Sequence, residues 1–459
     1  MKCRYARVAS AICAAVLCPH ANATEVFNME GYGPISRGMG GIGVAYDIGS
    51  AAMMLNPATL GLMPEGKHIS IGLDVVNTDI KVTNTATGES VHSGKHGSNN
   101  GPYFAPELAF VYRRNPYAFG VGVFAEGGVG TQYGSSSFLS RTTTNSVDTG
   151  LDNFSRLLVL RIPFSAAYNV TDKLTVGGSL DVVWTALNVG MLLDASQIGG
   201  LAAANRVSGT LVPALLGIPG LSGGHIRFSR DGLVGGGADA WGVAGKLGMT
   251  YQLAPSTRIG VAYSSKTAVG DLRGNATLNA VSATAGNIPV SGTIVVRNFQ
   301  MPAQFSLGIS HDITDNLTVA ADYQRIFWAS TMKNINIGFT SSGNGANLNI
   351  SLPQNYRDTN VFGVGASYRI NSKWTFRGGV RYAQEAIPGD SLLAVIPATP
   401  TTHLSTGASY AIGKDDILDF ALSLALQKTL TNPGGTNSSV PIRTEHSQLN
   451  AVIAYRKRF

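Results

Sequence analysis

Short segments in which apolar and polar side chains alternate recur along this chain of 459 residues. In Leu418–Leu426 every even position is Leu or Phe, and the odd positions are Asp, Ala, Ser and Ala. Leu174–Trp184 and Trp374–Tyr382 alternate in the same way. Successive side chains of a β-strand point to opposite faces of the sheet, so this pattern is typical of strands with one apolar face. The sequence therefore predicts an all-β fold.

The amino terminus has the three parts of a secretory signal peptide. A basic start is followed by the apolar run Val8–Cys18 and by Ala21-Asn22-Ala23, which predicts cleavage after Ala23 and a signal peptide over residues 1–23. All three cysteines lie in this segment. We therefore expect no disulfide and no thiolate metal site in the mature protein. We also predict no metal site of any other kind.

Composition points to the outer membrane of a bacterium. Charged residues make up only 13% of the chain, and it contains 56 glycines. After residue 23 no segment reaches the roughly 18 consecutive apolar residues of a transmembrane helix. In a transmembrane β-barrel, lipid-facing and lumen-facing side chains alternate, as they do here. A secreted all-β protein is the alternative.

The net charge gives no sign of a nucleic-acid partner. The signal peptide holds Lys2, Arg4 and Arg7 and no acidic residue, so 34 minus 3 leaves 31 Lys and Arg against 27 Asp and Glu. The formal charge of the mature chain is therefore +4, which is too small for a nucleic-acid-binding surface.

Fourteen alternating segments are long enough to cross a membrane as strands, which predicts a 14-stranded antiparallel transmembrane barrel over residues 65–459. They are Lys67–Val76, Tyr103–Arg113, Tyr117–Tyr133, Asn153–Val170, Leu174–Trp184, Trp241–Leu253, Thr257–Arg273, Thr293–Ser310, Asn316–Ile326, Thr359–Ile370, Trp374–Tyr382, His403–Ile412, Leu418–Leu426 and Gln448–Phe459. Tight turns alternate with long inserts at 186–240, 275–292 and 340–356. We expect these inserts to be extracellular loops.

The carboxyl terminus ends on an aromatic residue. Phe459 is in phase with Tyr455, which is typical of the terminal signal that the outer-membrane assembly machinery reads, although Lys457 replaces an apolar residue of that pattern. We expect this machinery, and the outer-membrane lipid including lipopolysaccharide, to be partners of the chain.

The stretch Gly38–Leu60 alternates nowhere and is too rich in glycine for a stable helix. It is also too apolar for a linker. Near its end it contains the rigid turn Asn56-Pro57-Ala58, because proline fixes its own φ and restricts the residue before it. We predict a plug, or hatch, over residues 24–64 that lies inside the barrel.

Four stretches carry a family resemblance. They are Ser36–Leu60 with its Asn-Pro-Ala turn, Gly120–Tyr133 ending in GVGTQY, Met301–Trp328, and Lys373–Ala411 with WTFRGG and HLSTGASYAIG. In this order they resemble the FadL family of outer-membrane channels for long-chain fatty acids and other hydrophobic molecules, which includes the toluene and xylene porins.

The resemblance implies a barrel closed by its amino-terminal hatch and a passive uptake path. Substrate would be captured in an apolar loop groove and released sideways into the membrane at a kinked third strand. Long-chain fatty acids are the expected substrate, with aromatic hydrocarbons as the alternative. No cofactor is expected, since the mature chain has no Walker A or HExxH motif, and we expect a monomer.

Candidate residues can be placed on this path. The insert 186–240 is unusually apolar for a loop, which favours a ligand groove; its candidates are Met191, Leu192, Leu193, Ile198, Leu211, Leu215, Leu216 and Ile218. Gly127, Gly128 and Gly130 interrupt the third strand and are the candidates for the lateral gate.

A carboxylate ligand would need a cation in the bore. Strand register predicts that Arg357, Arg377, Arg381 and Lys246 point inward, and the resemblance implies a head-group role for Arg357. The alternative is that these side chains pair with lumenal carboxylates such as Asp322 and fill the bore.

An outer-membrane enzyme such as a lipase is the main rival class, and a polar porin the third. The mature chain has seven histidines: His68, His92, His96, His225, His311, His403 and His446. His92 and His96 lie in a Gly/Ser/Asn-rich loop, and none has an evident nucleophile partner. We therefore expect a channel and not an enzyme.

Overall fold

The computed structural model describes residues 26–94, 101–229 and 237–459, and the predicted signal peptide lies outside them. All strands in these ranges pair into a single antiparallel sheet of twenty-two strands. The strands are β1 (Gly66–Asn84), β2 (Ser90–Gly94), β3 (Tyr103–Arg114), β4 (Tyr117–Gly134), β5 (Asn153–Asn169), β6 (Leu174–Asp194), β7 (Val207–Ser208), β8 (Leu221–Phe228), β9 (Ala238–Ala254), β10 (Thr257–Ser264), β11 (Ala268–Val269), β12 (Leu272–Ser282), β13 (Gly286–Arg297), β14 (Gln304–Thr314), β15 (Leu317–Ile326), β16 (Asn334–Ser341), β17 (Asn347–Pro353), β18 (Thr359–Arg369), β19 (Trp374–Ala383), β20 (Thr402–Ala411), β21 (Asp416–Asn432) and β22 (Ile442–Arg458).

The described helices are short. The α-helices are α1 (Gly33–Gly38), α2 (Ala52–Leu55), α3 (Ala195–Ala203) and α4 (Val212–Leu216), and the 3₁₀-helices are Gly49–Ala51, Pro57–Leu62, Phe138–Ser140, Trp328–Ser330 and Gly389–Ser391. Among the described residues, no helix has the length and apolarity to cross a membrane.

Hydrogen-bonded pairing closes the sheet into a ring. The order around the ring is β1, β3, β4, β5, β6, β9, β10, β14, β15, β18, β19, β20, β21, β22 and back to β1. The last and first strands pair from His68↔Arg458 to Asn84↔Ile442. The fold is therefore an all-β closed antiparallel barrel.

The predicted number of fourteen strands is wrong for the sheet, which contains twenty-two strands, eight of them outside the ring order given above. The inserts at 186–240, 275–292 and 340–356 were predicted as loops, but they contain β7, β8, most of β12, β13 and β17. These strands alternate too: Leu278 is buried on the inner face of β12, while Arg273 is exposed on the outer face. The predicted strand Thr257–Arg273 is interrupted between β10 and β12, and the predicted strand Thr293–Ser310 is interrupted between β13 and β14.

The outer face of the ring is apolar. Leu180 on β6 is 63% exposed and Leu247 on β9 is 69% exposed, and neither faces the interior. Charged residues such as Asp181 and Lys246 lie on the opposite face of the same strands and are buried. An apolar exterior around a polar interior is the arrangement that a membrane-spanning barrel requires.

Residues 26–63 contain no strand and lie inside the ring, almost all of them buried. Side chains of the wall bind backbone amides of this hatch and the guanidinium of its Arg37. Asp322 Oδ2 on β15 accepts hydrogen bonds from Gly43 N at 2.7 Å and Val44 N at 3.0 Å. Arg37 is completely buried and donates to Asp74 on β1 at 2.6 Å. The bore is therefore filled by a segment with specific polar contacts.

A recess in the wall receives the turn Asn56-Pro57-Ala58. Gly177 on β6 and Gly248 on β9 are direct cross-strand partners. A β-carbon at Gly248 would lie 2.8 Å from Asn56 Cγ, and one at Gly177 would lie 2.5 Å from Ala58 N. Only glycine allows this close approach.

Asn56 fixes the turn through three hydrogen bonds. Its Nδ2 donates to Val44 O at 2.7 Å and to Met249 O on β9 at 3.2 Å, while its Oδ1 accepts from Ala58 N at 3.1 Å. The Asn side chain thus links two parts of the hatch to the wall. The asparagine singled out in the sequence is completely buried.

Candidate functional site

The wall has an opening between β3 and β4. The two strands pair from Arg114↔Tyr117 only as far as Leu108↔Val123. Beyond this point, β3 continues along β1, and β4 continues along β5 to Gly134. Tyr103–Glu107 and Phe124–Gly134 therefore face each other without pairing, and we call this gap the wall opening. It lies on the predicted third strand, which is β4 in the numbering used here.

A bulge and a buried ion-pair cluster bend β4 away from β3. The register with β5 shifts between Ala125 and Gly127, so Glu126 is the extra residue and its side chain is buried. Arg161 on β5 donates to Glu126 Oε2 at 2.7 Å and to Asp181 Oδ2 at 2.8 Å, and Lys246 also pairs with Asp181. Buried charges are stable only when paired, so this cluster holds the bulge in place.

The start of the hatch pairs with the inner side of the bent strand. Asn28 and Gly127 form an isolated antiparallel bridge. Gly128 N donates to Phe27 O at 2.8 Å, and Met29 N donates to Glu126 O at 3.1 Å. Backbone groups that β3 leaves unpaired are in this way satisfied by the hatch.

A cavity of about 390 Å³ lies behind the wall opening, and we call it the main cavity. Its lining includes Phe27, which is 2% exposed inside the barrel, and Phe104, which is 60% exposed on the outer face of β3. Val129 on β4 and its direct cross-strand partner Leu157 on β5 also line it. The main cavity therefore extends from the barrel interior to the lipid-facing surface.

The inner end of the main cavity is polar. His446 Nδ1 lies 2.6 Å from Pro397 O, so this nitrogen carries the proton and donates, and Nε2 accepts from Gln448 Nε2 at 3.1 Å. Asn450 Nδ2 donates to Gln448 Oε1 at 3.3 Å and to Glu30 Oε1 at 3.2 Å. These residues form one hydrogen-bonded row between β22 and the hatch.

The predicted loop groove is divided into two small cavities. A cavity of about 60 Å³ with an almost wholly apolar lining includes four of the eight predicted residues: Leu193, Ile198, Leu215 and Leu216. A second cavity of about 50 Å³ is lined by Met191, Leu192 and Leu193. Leu211 is buried, and Ile218 is half-buried in the turn after α4. Six of the eight residues therefore line a cavity near the loops.

Three of the four head-group candidates point into the bore, but each of them already has an ion-pair or hydrogen-bond partner there. Lys246 is paired with Asp181. Arg381 donates to Gln324 Oε1 at 2.7 Å, and Arg377 donates to Ser409 Oγ at 2.6 Å. None of the three is among the residues lining the main cavity. Their contacts favour the alternative from the sequence, in which lumenal cations fill the bore.

Arg357, the fourth candidate, lies outside the strands, two residues before β18, and is exposed. Its backbone N donates to Ala386 O at 2.8 Å. It lies near Glu385, in the segment between β19 and β20. Burial raises the pKa of Glu385 to about 7, against the opposing effects of the Ile387 amide, Lys428 and Arg357.

The three predicted gate glycines occupy different positions. A β-carbon at Gly127 would lie 2.7 Å from the carbonyl carbon of Phe27, and one at Gly128 would lie 2.5 Å from Leu157 O. A β-carbon at Gly130 would lie 2.5 Å from the hydroxyl oxygen of Tyr103. Only Gly130 therefore faces the wall opening, whereas Gly127 receives the hatch.

Four residues of the site were not predicted from the sequence: Phe27, Glu30, Tyr103 and Glu126. A single acidic residue in the apolar, glycine-rich run Phe124–Gly130 was a usable signal for Glu126, because a charge in a barrel strand requires a lumenal partner. Nothing in the sequence singled out the other three.

Comparison with known proteins identifies the family. A family model described as outer membrane protein transport protein (OMPP1/FadL/TodX) matches residues 12–454. Outer membrane protein P1 of Haemophilus influenzae strain Rd is 26% identical over 397 residues, which is 81% of this chain and 80% of that protein.

Two solved structures share both fold and sequence with the chain. The toluene transporter TbuX of Ralstonia pickettii is 63% identical, with a TM-score of 0.81 over 94% of this chain and 99% of its own. The toluene transporter TodX of Pseudomonas putida is 41% identical, with a TM-score of 0.84 over 94% of this chain and 99% of its own. These are transport channels and not enzymes. The chain therefore belongs to the OMPP1/FadL/TodX family, and it is a channel for hydrophobic compounds in the bacterial outer membrane.

Proposed function

We propose that this channel takes up neutral monoaromatic hydrocarbons of the toluene class. The observation that carries the proposal is the main cavity, which is largely apolar and reaches the lipid-facing wall. Apolar cavities of about 150 Å³ already bind benzene, so the 390 Å³ here accommodate one aromatic ring. The two solved relatives described as toluene transporters support the same class of ligand.

The charges around the main cavity favour a neutral ligand. Glu30 is 6% exposed and lines its inner end. Among the described residues that line the cavity, Arg156 is the only Lys or Arg, and it is exposed with its guanidinium 5.9 Å from the centre of the Tyr103 ring. The buried Arg37 is already paired with Glu30 at 3.5 Å. Among the described residues that line the cavity, no buried Lys or Arg is therefore left to balance the carboxylate of an entering ligand, and an unbalanced buried charge is costly in a low-dielectric site.

Long-chain fatty acids, the substrate expected from the sequence, remain the second candidate. Arg357 is the observation on their side, because its side chain is exposed and lies outside the strands of the bore. A fatty acid bound there would leave its carboxylate outside the main cavity, and Arg357→Ala would then slow fatty-acid uptake but not toluene uptake.

The proposed path runs from the loops to the membrane. Ligand is captured at the small apolar cavity beside α3 and α4, enters the main cavity and leaves sideways through the wall opening. Release into lipid is favoured because each Å² of apolar surface returned to water costs about 25 cal/mol. Transport along this path is passive diffusion and uses no cofactor.

Uptake of labelled toluene and labelled oleate by cells with and without the protein tests the proposal. We expect the protein to accelerate toluene uptake at least fivefold at low concentration and to change oleate uptake little. Acceleration of oleate alone would overturn the proposal in favour of the fatty-acid alternative.

A further inference from the structure

Three residues that line the main cavity carry polar atoms without a hydrogen-bond partner. They are Asn28, with both side-chain atoms unpartnered, Thr78, with its hydroxyl, and Asn450, with Oδ1. Thr78 is 5% exposed and Asn450 is 1% exposed. A buried polar group left unpaired costs about 1–3 kcal/mol, so a purely hydrocarbon ligand does not explain this lining.

Thr78 and Asn450 lie close together on the inner face of the same strand pair. Thr78 on β1 pairs with Gln448 on β22, and Asn450 pairs with Val76, so the two residues are diagonal neighbours. Diagonal neighbours are about 7–8 Å apart between Cα atoms, and their side chains come closer. One oxygen atom placed between them can therefore reach both.

The two groups have complementary chemistry. The amide nitrogen of Asn450 is already used, since it donates to Glu30 and Gln448, so Oδ1 is an acceptor only. The Thr78 hydroxyl can donate or accept. Together they suit a ligand hydroxyl, which donates to Asn450 Oδ1 and accepts from Thr78 Oγ1.

We propose that the inner end of the main cavity is a subsite for one hydroxyl group, so that the channel also binds singly hydroxylated aromatic compounds such as cresols. The aromatic ring lies among the apolar lining near Phe27, and the hydroxyl points to Thr78 and Asn450. This inference rests on the proposed uptake of aromatic compounds. Glu30 in the same row of polar residues excludes the corresponding aromatic carboxylates.

Thr78→Val tests the subsite cleanly, because it keeps the shape of the side chain and removes a hydroxyl that has no partner within the protein. Thr78→Ser restores the hydroxyl. Thr444→Val is the matched control: Thr444 lies on β22, its hydroxyl is also buried without a partner, and it does not line the main cavity.

Binding of toluene and of p-cresol to the purified full-length protein in detergent is measured by calorimetry at pH 7, where a phenol with a pKa of about 10 is neutral. We expect Thr78→Val to weaken p-cresol binding about fivefold and to leave toluene binding unchanged. Thr78→Ser and Thr444→Val should bind both compounds as the wild type does.

Four results would overturn the inference. Equal p-cresol binding by Thr78→Val and the wild type, or an equal loss for both compounds, would remove the hydroxyl subsite but leave the proposed function standing. Wild-type protein that binds toluene and not p-cresol would do the same. If the wild type binds neither compound, the proposed function fails together with the subsite.

Discussion

Gly130 faces the ring of Tyr103 across the wall opening, and a β-carbon at residue 130 would lie 2.5 Å from the Tyr103 hydroxyl oxygen. A larger side chain at this position must share the gap with that ring. We expect Gly130→Leu to reduce toluene uptake at least fivefold, because both side chains then occupy the exit.

The control for this variant is Gly378→Leu on β19. There a β-carbon would meet only Ser405 O, at 3.9 Å, and the residue is exposed. It should assemble and transport as the wild type does. Normal uptake by a well-assembled Gly130→Leu protein would exclude exit between β3 and β4.

The recess at Gly248 predicts how the hatch can be released. Gly248→Val would push the Asn56 side chain out of its position and break its bond to Met249 O. We expect a folded barrel with higher single-channel conductance in planar bilayers. Gly245→Val on the same strand is the control, because a β-carbon there meets only Ser179 O at 3.6 Å. Loss of the barrel in Gly248→Val would show that the hatch is needed for folding.

The apolar loop cavity predicts a role for α4 in capture. Leu215→Asp places a charge in a lining that is almost wholly apolar, and its burial is unfavourable. Initial uptake of toluene at low concentration should fall severalfold. Ala214→Asp lies on the same helix but is exposed and does not line the cavity, so it should have no effect. Equal rates for the two variants would contradict capture at this site.

Glu385 predicts a pH dependence of the segment between β19 and β20. Burial raises its pKa from 4.5 to about 7, so the folded segment binds a proton that the opened segment releases. The stabilisation is complete below pH 4.5 and is lost as the pH rises through about 7. Hydrogen exchange of residues 384–401 should be faster at pH 8 than at pH 5.5 after correction for intrinsic rates. Glu385→Gln should remove this difference; a persistent difference would assign it to another group.

Phe459 combines a backbone role with a side-chain signal. Its N donates to Lys67 O at 2.8 Å, and its O accepts from Lys67 N at 3.2 Å, while the ring is 64% exposed. Phe459→Ala keeps both backbone bonds and removes the ring. We expect less heat-modifiable barrel in the outer membrane, measured by the mobility of unboiled samples on gels. Wild-type levels would contradict recognition of the ring by the assembly machinery.

Alternation in sequence indicated an all-β barrel, but it did not give the number of strands in the sheet. Most of β12 and β13, and all of β17, lie in inserts. These inserts were expected to be loops because they separate the predicted wall strands by long stretches of chain. The side chains on their inner faces, such as those of Leu278 and Ile294, belong to the large cluster of buried apolar residues. The sequence shows that apolar and polar residues alternate in these segments, but it does not show which other strands the segments pair with.

The sequence predicted a break in the third strand, where the register with β5 shifts between Ala125 and Gly127, but the composition of the cavity could not be predicted. Glycines at 127, 128 and 130 break the rhythm of one strand, and that signal is local. The main cavity instead combines Phe27, Tyr103, Leu157, Pro400 and His446, which are far apart in the chain. Only the closed ring and the bent strand bring these residues together.

Diffraction from crystals soaked in bromobenzene tests the central claim most directly, because bromine gives an anomalous signal at a defined point. The account predicts a bromine peak inside the main cavity, between Phe27 of the hatch and Tyr103 at the wall opening. Bromine peaks confined to the loops or to the detergent belt would contradict it.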